Sequence, residues 1–234
     1  GTKRIVELDA GELTTAYFNL KVQGGKGTKI RIIYAESYAK NVFTEANILN
    51  LTKEVRDDSL NGKIIGCEDI FYPSGTEDAY EPFLFRTFRF VRIEVEAGSE
   101  AVVLHKPVFF ETGYPLDVKT TIDSNEDWVG KLWDISLRTL KRCMHETYED
   151  CPYYEQMQYT SDTRLQMLFT YRVTADARMA RRTLFDYHSS QLPNGILQSR
   201  YPCSLTQVIP TFSLYWIFML EDYYMQTADL QILK

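Results

Sequence analysis

One stretch of the sequence holds most of the side chains able to exchange protons. His145-Glu146-Thr147-Tyr148-Glu149-Asp150-Cys151-Pro152-Tyr153-Tyr154-Glu155-Gln156-Met157-Gln158-Tyr159-Thr160-Ser161-Asp162 sets five carboxylates among four tyrosines. Carboxylates crowded beside aromatic rings raise the proton affinity of at least one of their number, through lost hydration and like-charge repulsion. A carboxyl that keeps its proton near neutral pH is what a general acid needs. A plainer reading stands beside it: a solvated acidic loop, with Asp162 capping the helix that follows. Loops of this length without glycine are functional or disordered, and the aromatic content argues against disorder.

Other chemistries find less support. His105, His145 and His188 have no G-x-S-x-G or comparable partner pattern, so a hydrolytic triad is not expected. Cys143, His145 and Cys151 match no standard zinc spacing and lack a fourth ligand. Gln23-Gly24-Gly25-Lys26-Gly27 lacks the spacing of a phosphate loop and reads as a turn. No metal and no cofactor are expected. The formal charge is −6 and no block of Lys and Arg stands out, which argues against nucleic acid as a partner. No apolar run approaches the ~20 residues that span a bilayer, so no membrane partner is expected. The four cysteines are too few and scattered for a disulfide framework. The 14% aromatic content suits a large mixed core, and it also suits stacking on the apolar faces of sugars.

These residues need elements to hold them, and the chain has two halves of different period. Up to about residue 115, short β-branched and aromatic runs read as strands: Thr15–Val22, Lys29–Ala35, Phe88–Val95 with a slip at Phe90-Val91 that suggests a bulge, and Ala101–Phe110. From about residue 120 the period is helical. A first helix is expected after Ser124 as N-cap. Its stripes Trp128, Leu132, Ile135, Thr139 and Val129, Trp133, Ser136, Leu140, Cys143 predict burial over much of its circumference. A second is expected from Asp162 with Leu165, Leu168 and Phe169, a third after Thr174-Ala175-Asp176, and a fourth after Pro210. The expected architecture is multidomain, an antiparallel β-sandwich over 1–115 followed by an all-α part over 116–234.

The acidic segment Asp150–Asp162 resembles the signature loop of bacterial α-L-rhamnosidases, glycoside hydrolase family 78: Asp-Cys-Pro, then an acid, then an aromatic residue and Gly-Asp before a helix. The resemblance extends to Tyr80–Val91, which is similar to the segment closing the β domain, and to Leu192–Pro202 and Ile209–Leu214, which are similar to later barrel segments. It implies that the helical half opens an (α/α)6 toroid and supplies about four of its roughly twelve helices, within a chain cut from a longer one. It also implies inverting hydrolysis of terminal α-L-rhamnosides. Glu155 falls on the general acid, Asp150 and Asp162 on carboxylates that hold sugar hydroxyls, and Tyr159 on a ring lining the sugar. Arg200 and Tyr201 are candidate substrate contacts. No segment matches the family's general base, so the chain alone is expected to be inactive. Two departures are the shorter spacing from Cys-Pro to the acid, and Ser161 where Gly is usual.

On this reading Asp162 is held ionised by the helix N-terminus, and Glu155 faces like charges and rings that push its pKa up. The partners implied are rhamnose-containing glycosides or oligosaccharides, in a bacterial cytoplasm or periplasm. Exposed faces of the unfinished toroid predict self-association. The alternative is a non-catalytic carbohydrate-binding or interaction module.

Overall fold

The computed structural model describes residues 2–40 and 56–233, which divide into two compact units, Gly1–Thr112 and Gly113–Lys234. The first unit is antiparallel β. Its described strands are β1 (Lys3–Gly24), β2 (Lys29–Ala35), β3 (Tyr38–Ala39), β4 (Lys63–Ile64), β5 (Cys67–Phe71), β6 (Glu77–Tyr80), β7 (Arg86–Glu96), β8 (Val102–Leu104) and β9 (Val108–Glu111). The main sheet runs β5-β2-β7-β1-β6, and β8 and β9 also pair with β1.

Strand β1 is much longer than the Thr15–Val22 run expected from sequence, because its polar first half pairs with β7 from Lys3↔Glu96 onward. Gly24, Gly25 and Gly27 take positive φ in the turn that follows, where L side chains are strained. The turn does not close a hairpin: β7, some sixty residues later, inserts between β1 and β2 and pairs with both. The bulge expected at Phe90-Val91 is displaced, because both residues pair in unbroken register with β1 and β2. Opposite Phe88–Phe90, β1 shifts register between Asp9 and Thr14, and Phe88 joins the main core while Phe90 joins a smaller cluster with Ile33, Ala35, Tyr38 and Ile64. Ala101–Phe110 is a correction: it is two strands, β8 and β9, broken at Lys106-Pro107 and paired to different parts of β1. Proline has no N–H to donate to a ladder.

The main core of this unit gathers Phe18, Tyr34 and Phe88, with ring centroids 5.6–6.2 Å apart, among Ile30, Ile32, Val91, Ile93 and Val95. Asp69 accepts two bonds from Arg86, at 3.0 and 2.7 Å, and one from the Tyr80 hydroxyl at 2.5 Å.

The second unit carries α1 (Asp127–Arg142), α2 (Thr160–Val173), α3 (Arg178–Ser189), α4 (Pro210–Thr227) and a short 3-10 turn at Leu230–Leu233. Its core collects Leu140, Met144, Tyr148, Met167, Val173, Met179, Ala180, Leu184, Tyr187, Leu197, Met219 and Tyr223. Pro210 occupies the first turn of α4, as expected. Helix α1 differs from expectation twice. It starts after Glu126 rather than Ser124, whose Oγ instead accepts the Glu126 N–H. Of its two stripes Trp133, Leu140 and Cys143 turn inward, joined by Leu137 from between them, while Trp128, Leu132 and Ile135 are 60%, 53% and 53% exposed. Helix α2 starts at Thr160, two residues early, and turns Leu165 outward. Its buried face is Thr160, Thr163, Met167, Thr170 and Val173. Among the described residues no helix is long and apolar enough to cross a membrane.

Candidate active site

The segment between α1 and α2 is fastened at three points. Near α1, the Glu149 N–H donates to the Cys143 carbonyl at 2.8 Å, and the buried Tyr148 hydroxyl donates to Thr170 on α2 at 3.1 Å. Gln166 of α2 donates to the Glu149 carbonyl at 2.6 Å. Next, Asp150 and Met157 clasp each other: the Asp150 N–H donates to the Met157 carbonyl, and the Met157 N–H donates to Asp150 Oδ1, both at 2.8 Å. At its far end Tyr159 forms an isolated antiparallel bridge with Arg200, and Thr160 donates through both its N–H and its hydroxyl to the Ser199 carbonyl.

The Asp150–Met157 clasp pinches off a tight turn. Inside it the Glu155 N–H reaches Cys151 Sγ at 3.3 Å, and Gln156 Nε2 donates to the Pro152 carbonyl at 2.9 Å. Gln156 sits at φ +54°, a left-handed conformation that costs a non-glycine residue about 1 kcal/mol or more. This braced turn presents Glu155 and Tyr154 to solvent. Strain of this kind persists only where the surroundings over-determine it.

Five of the six residues singled out from sequence come together. Arg200 Nη1 donates to the Tyr159 hydroxyl at 3.1 Å, with the guanidinium 5.5 Å from the ring centroid. The Tyr159 hydroxyl is pushed up, first by lost hydration and then by its hydrogen bond to Glu155, with Arg200 opposing. Asp162 lies within reach of the charges of both Asp150 and Glu155. The sixth, Tyr201, is placed differently. Its ring packs against the helical core, and its backbone exchanges hydrogen bonds with Gln158 at 2.8 and 3.3 Å.

At Asp162 the pull of the helix N-terminus is outweighed. Asp162 is an exposed residue of the first turn of α2, yet lost hydration at its carboxyl, joined by the charges of Asp150 and Glu155, pushes it above the ordinary aspartate range. Its own backbone N–H opposes this and is outweighed. Helix termini contribute only ~0.3–1 kcal/mol at exposed positions. The loop carboxylates also separate by burial. Glu149 is buried against His145, with Nδ1 and Oε1 3.0 Å apart, away from the solvent face that Glu155 occupies.

Gln158 was missed by reasoning from sequence. It is 2% exposed and bonds Asp186 at 3.2 Å, the Tyr201 carbonyl at 2.8 Å and the Thr183 hydroxyl at 2.9 Å, while its own carbonyl accepts from Tyr187 at 2.8 Å. It carries the Tyr159 side of the loop. The available signal was a lone amide between apolar and aromatic neighbours, Met157 and Tyr159, next to a candidate acid. No group of three or more His, Cys, Asp or Glu among the described residues is arranged to hold a metal ion. The Cys143 thiol, pushed up to about 12 by burial and by neighbouring acidic groups, stays protonated at neutral pH.

No curated protein matches the chain. Solved structures do, at low identity. A family 78 rhamnosidase of Bacillus sp. GL1 superposes with TM-score 0.80 and 20% identity, over 99% of this chain and 23% of that one. A rhamnosidase from Klebsiella oxytoca with rhamnose bound gives 0.73 and 17%, over 99% and 46%. A Streptomyces avermitilis α-L-rhamnosidase complexed with L-rhamnose gives 0.67 and 19%, over 98% and 21%. At such identities the likeness establishes the fold, and the chain spans between about a fifth and a half of these relatives. The family models reach further into the sequence. Residues 2–108 match the bacterial α-L-rhamnosidase concanavalin-like domain, and residues 117–234 match the six-hairpin glycosidase domain of the same enzymes. The carboxylate loop lies inside the second match, and the order of the two domains is the one expected from the strand-then-helix pattern. The chain therefore belongs to the bacterial α-L-rhamnosidase family.

Proposed function

We propose that this chain supplies the β domain and the acid-bearing opening of the helical domain of an inverting α-L-rhamnosidase. The observation that carries this reading is the gathering of Asp150, Glu155, Asp162, Tyr159 and Arg200 at one loop, with Glu155 on a braced turn open to solvent. Glu155 protonates the glycosidic oxygen as the bond to the leaving group breaks. Asp150, whose N–H and Oδ1 are both held by Met157, accepts hydrogen bonds from rhamnose hydroxyls through its remaining oxygen, and Asp162 does the same. Those bonds favour their charged forms, and two charged neighbours favour the proton staying on Glu155 until it is needed. Tyr159 lines the sugar ring and Arg200 holds its hydroxyl. Tyr201 contributes by supporting Gln158 beneath the loop. The water that attacks from the opposite face is activated by a second carboxylate outside these 234 residues, roughly 6.5–9.5 Å from Glu155. On this reading the 234 residues alone bind rhamnosides weakly and do not turn them over.

The test is Glu155→Gln in the full-length enzyme, on an activated and an unactivated rhamnoside. Loss of an acid costs ~10²–10⁴-fold in kcat. The loss is smaller on nitrophenyl rhamnoside, whose leaving group needs little protonation, than on an alkyl rhamnoside. Equal losses on both substrates, or rates near wild type, exclude Glu155 as the acid.

A further inference from the structure

Glu155 is held at both ends. Its carboxyl is hydrogen-bonded to the Tyr159 hydroxyl, and its backbone N–H donates to Cys151 Sγ at 3.3 Å. The sulfur bond links residues four apart, and the next position repeats that spacing: Gln156 Nε2 donates back to the Pro152 carbonyl at 2.9 Å. Both bonds lie within residues 151–156, which the Asp150–Met157 clasp encloses, and at Gln156 the chain reverses through φ +54° to reach the clasp. Glu155 and Gln156 are exposed, so burial does not fix them in place.

A general acid must reach the oxygen it protonates at hydrogen-bond distance, ~2.6–3.2 Å. A glutamate is long and rich in rotamers, so on an exposed turn it meets that demand only if the backbone beneath it is held. We propose that Cys151 and Gln156 are positioning residues for this acid. The sulfur anchors the Glu155 backbone from the start of the turn, and the Gln156 amide locks the peptide that follows. Both act through Glu155 and not on the sugar. This rests on the function proposed above and adds to it what aims the acid. Sulfur is a weak acceptor and takes an N–H at a longer distance than the ~2.9–3.0 Å usual for an oxygen, so the 3.3 Å contact sets a spacing that a hydroxyl reproduces only in part. A misplacement of about 1 Å costs on the order of 10²-fold in rate, and a shift of a few tenths of an ångström costs correspondingly less.

The experiment uses the full-length enzyme on methyl α-L-rhamnoside and nitrophenyl α-L-rhamnoside, with Glu155→Gln as the reference. A misplaced acid slows the substrate that needs protonation, whereas a loss of folded enzyme slows both alike. The variants are Cys151→Ala, which removes the acceptor, and Gln156→Asn, which tolerates positive φ but is too short to reach Pro152. In each, kcat on methyl rhamnoside falls about tenfold, kcat on the nitrophenyl substrate falls by no more than about twofold, and both KM values stay within about twofold. Cys151→Ser restores an acceptor and loses less on methyl rhamnoside than Cys151→Ala. On that substrate, adding Cys151→Ala to Glu155→Gln costs no further activity, because the sulfur acts only through the acid. Equal losses on the two substrates, wild-type kinetics in either single variant, or a further loss in the double variant overturns the proposal. If Cys151→Ala does not fold, Gln156→Asn and Cys151→Ser carry the same comparison, and equal losses in them overturn it. Equal losses in Glu155→Gln bring down the proposed function itself, whereas a substrate-dependent loss there with none in Cys151→Ala brings down this inference alone.

Discussion

The Gln158 amide offers the sharpest test of how the acid loop is held. Gln158→Met keeps the length and approximate volume of the side chain, so the change removes hydrogen bonds rather than opening a cavity. Three side-chain bonds disappear. The one to Asp186 matters least, because that carboxylate is partly exposed and water replaces the amide. The other two leave the Thr183 hydroxyl, 1% exposed, and the Tyr201 carbonyl without their partner. A buried group stranded in this way costs roughly 1–3 kcal/mol. The Thr183 hydroxyl can turn back to a carbonyl of its own helix, which offsets part of the cost, and the expected loss is about 3 kcal/mol. Trp128, Trp133 and Trp216 all lie in the helical unit, so tryptophan fluorescence follows that unit and not the β unit. With a urea m-value of ~2 kcal/mol/M for a domain of this size, the midpoint falls by ~1.5 M. Thr183→Val in the Gln158→Met background removes the stranded hydroxyl, and the double variant recovers about 1 kcal/mol over the sum of the single losses. A single-variant loss below about 1 kcal/mol, or strict additivity, means that Gln158 does not support the loop.

Two further outcomes follow from other parts of the molecule. Burial alone would raise the Asp69 carboxyl, but the Arg86 and Tyr80 hydrogen bonds outweigh it and hold the group below the ordinary aspartate range. A carboxyl lowered on folding contributes stability that is full above its unfolded value, near ~4, and is lost as pH falls through the folded one. Hydrogen-exchange protection factors of the β7 amides therefore record a steep loss of stability below about pH 4, which Asp69→Asn flattens; an unchanged acid limb refutes the assignment. Leu214, Ile217 and Phe218 on α4, with Trp128, Leu132 and Ile135 on α1, are large apolar side chains left exposed, and exposed apolar surface favours association. Sedimentation of the 234-residue chain at tens of micromolar gives species heavier than 27.3 kDa, and Ile217→Glu with Leu132→Glu shifts it toward monomer. A monodisperse monomer at that concentration sinks the expectation.

How far the sequence reached depended on whether a signal was local. Strand β2 is legible to the residue, because Lys29–Ala35 carries its own apolar, β-branched pattern. The proline start of α4 and the change of period between the two halves are local in the same sense. The polar first half of β1 is not, since its strand character comes from pairing with β7, a partner some ninety residues away at the first pair. The insertion of β7 between β1 and β2 is likewise invisible in a turn whose glycines look ready for a hairpin. On the helices, apolar stripes identified elements but not the faces they bury. Leu165 faces out of α2 while Thr163 and Thr170 face in, because the buried Tyr187 and Tyr148 hydroxyls need hydrogen-bond partners there. At the site, residue type marked a cluster of carboxylates and tyrosines, and the resemblance to the rhamnosidase signature loop singled out Asp150, Glu155, Tyr159 and Asp162 among them. Their electrostatics were not legible: the helix start at Asp162 suggested a lowered carboxyl, and the lost hydration that raises it depends on what folds around it. Gln158, Arg200 and the Asp150–Met157 clasp show the same division, since residue type marks what can react and only the packed structure decides what holds it still.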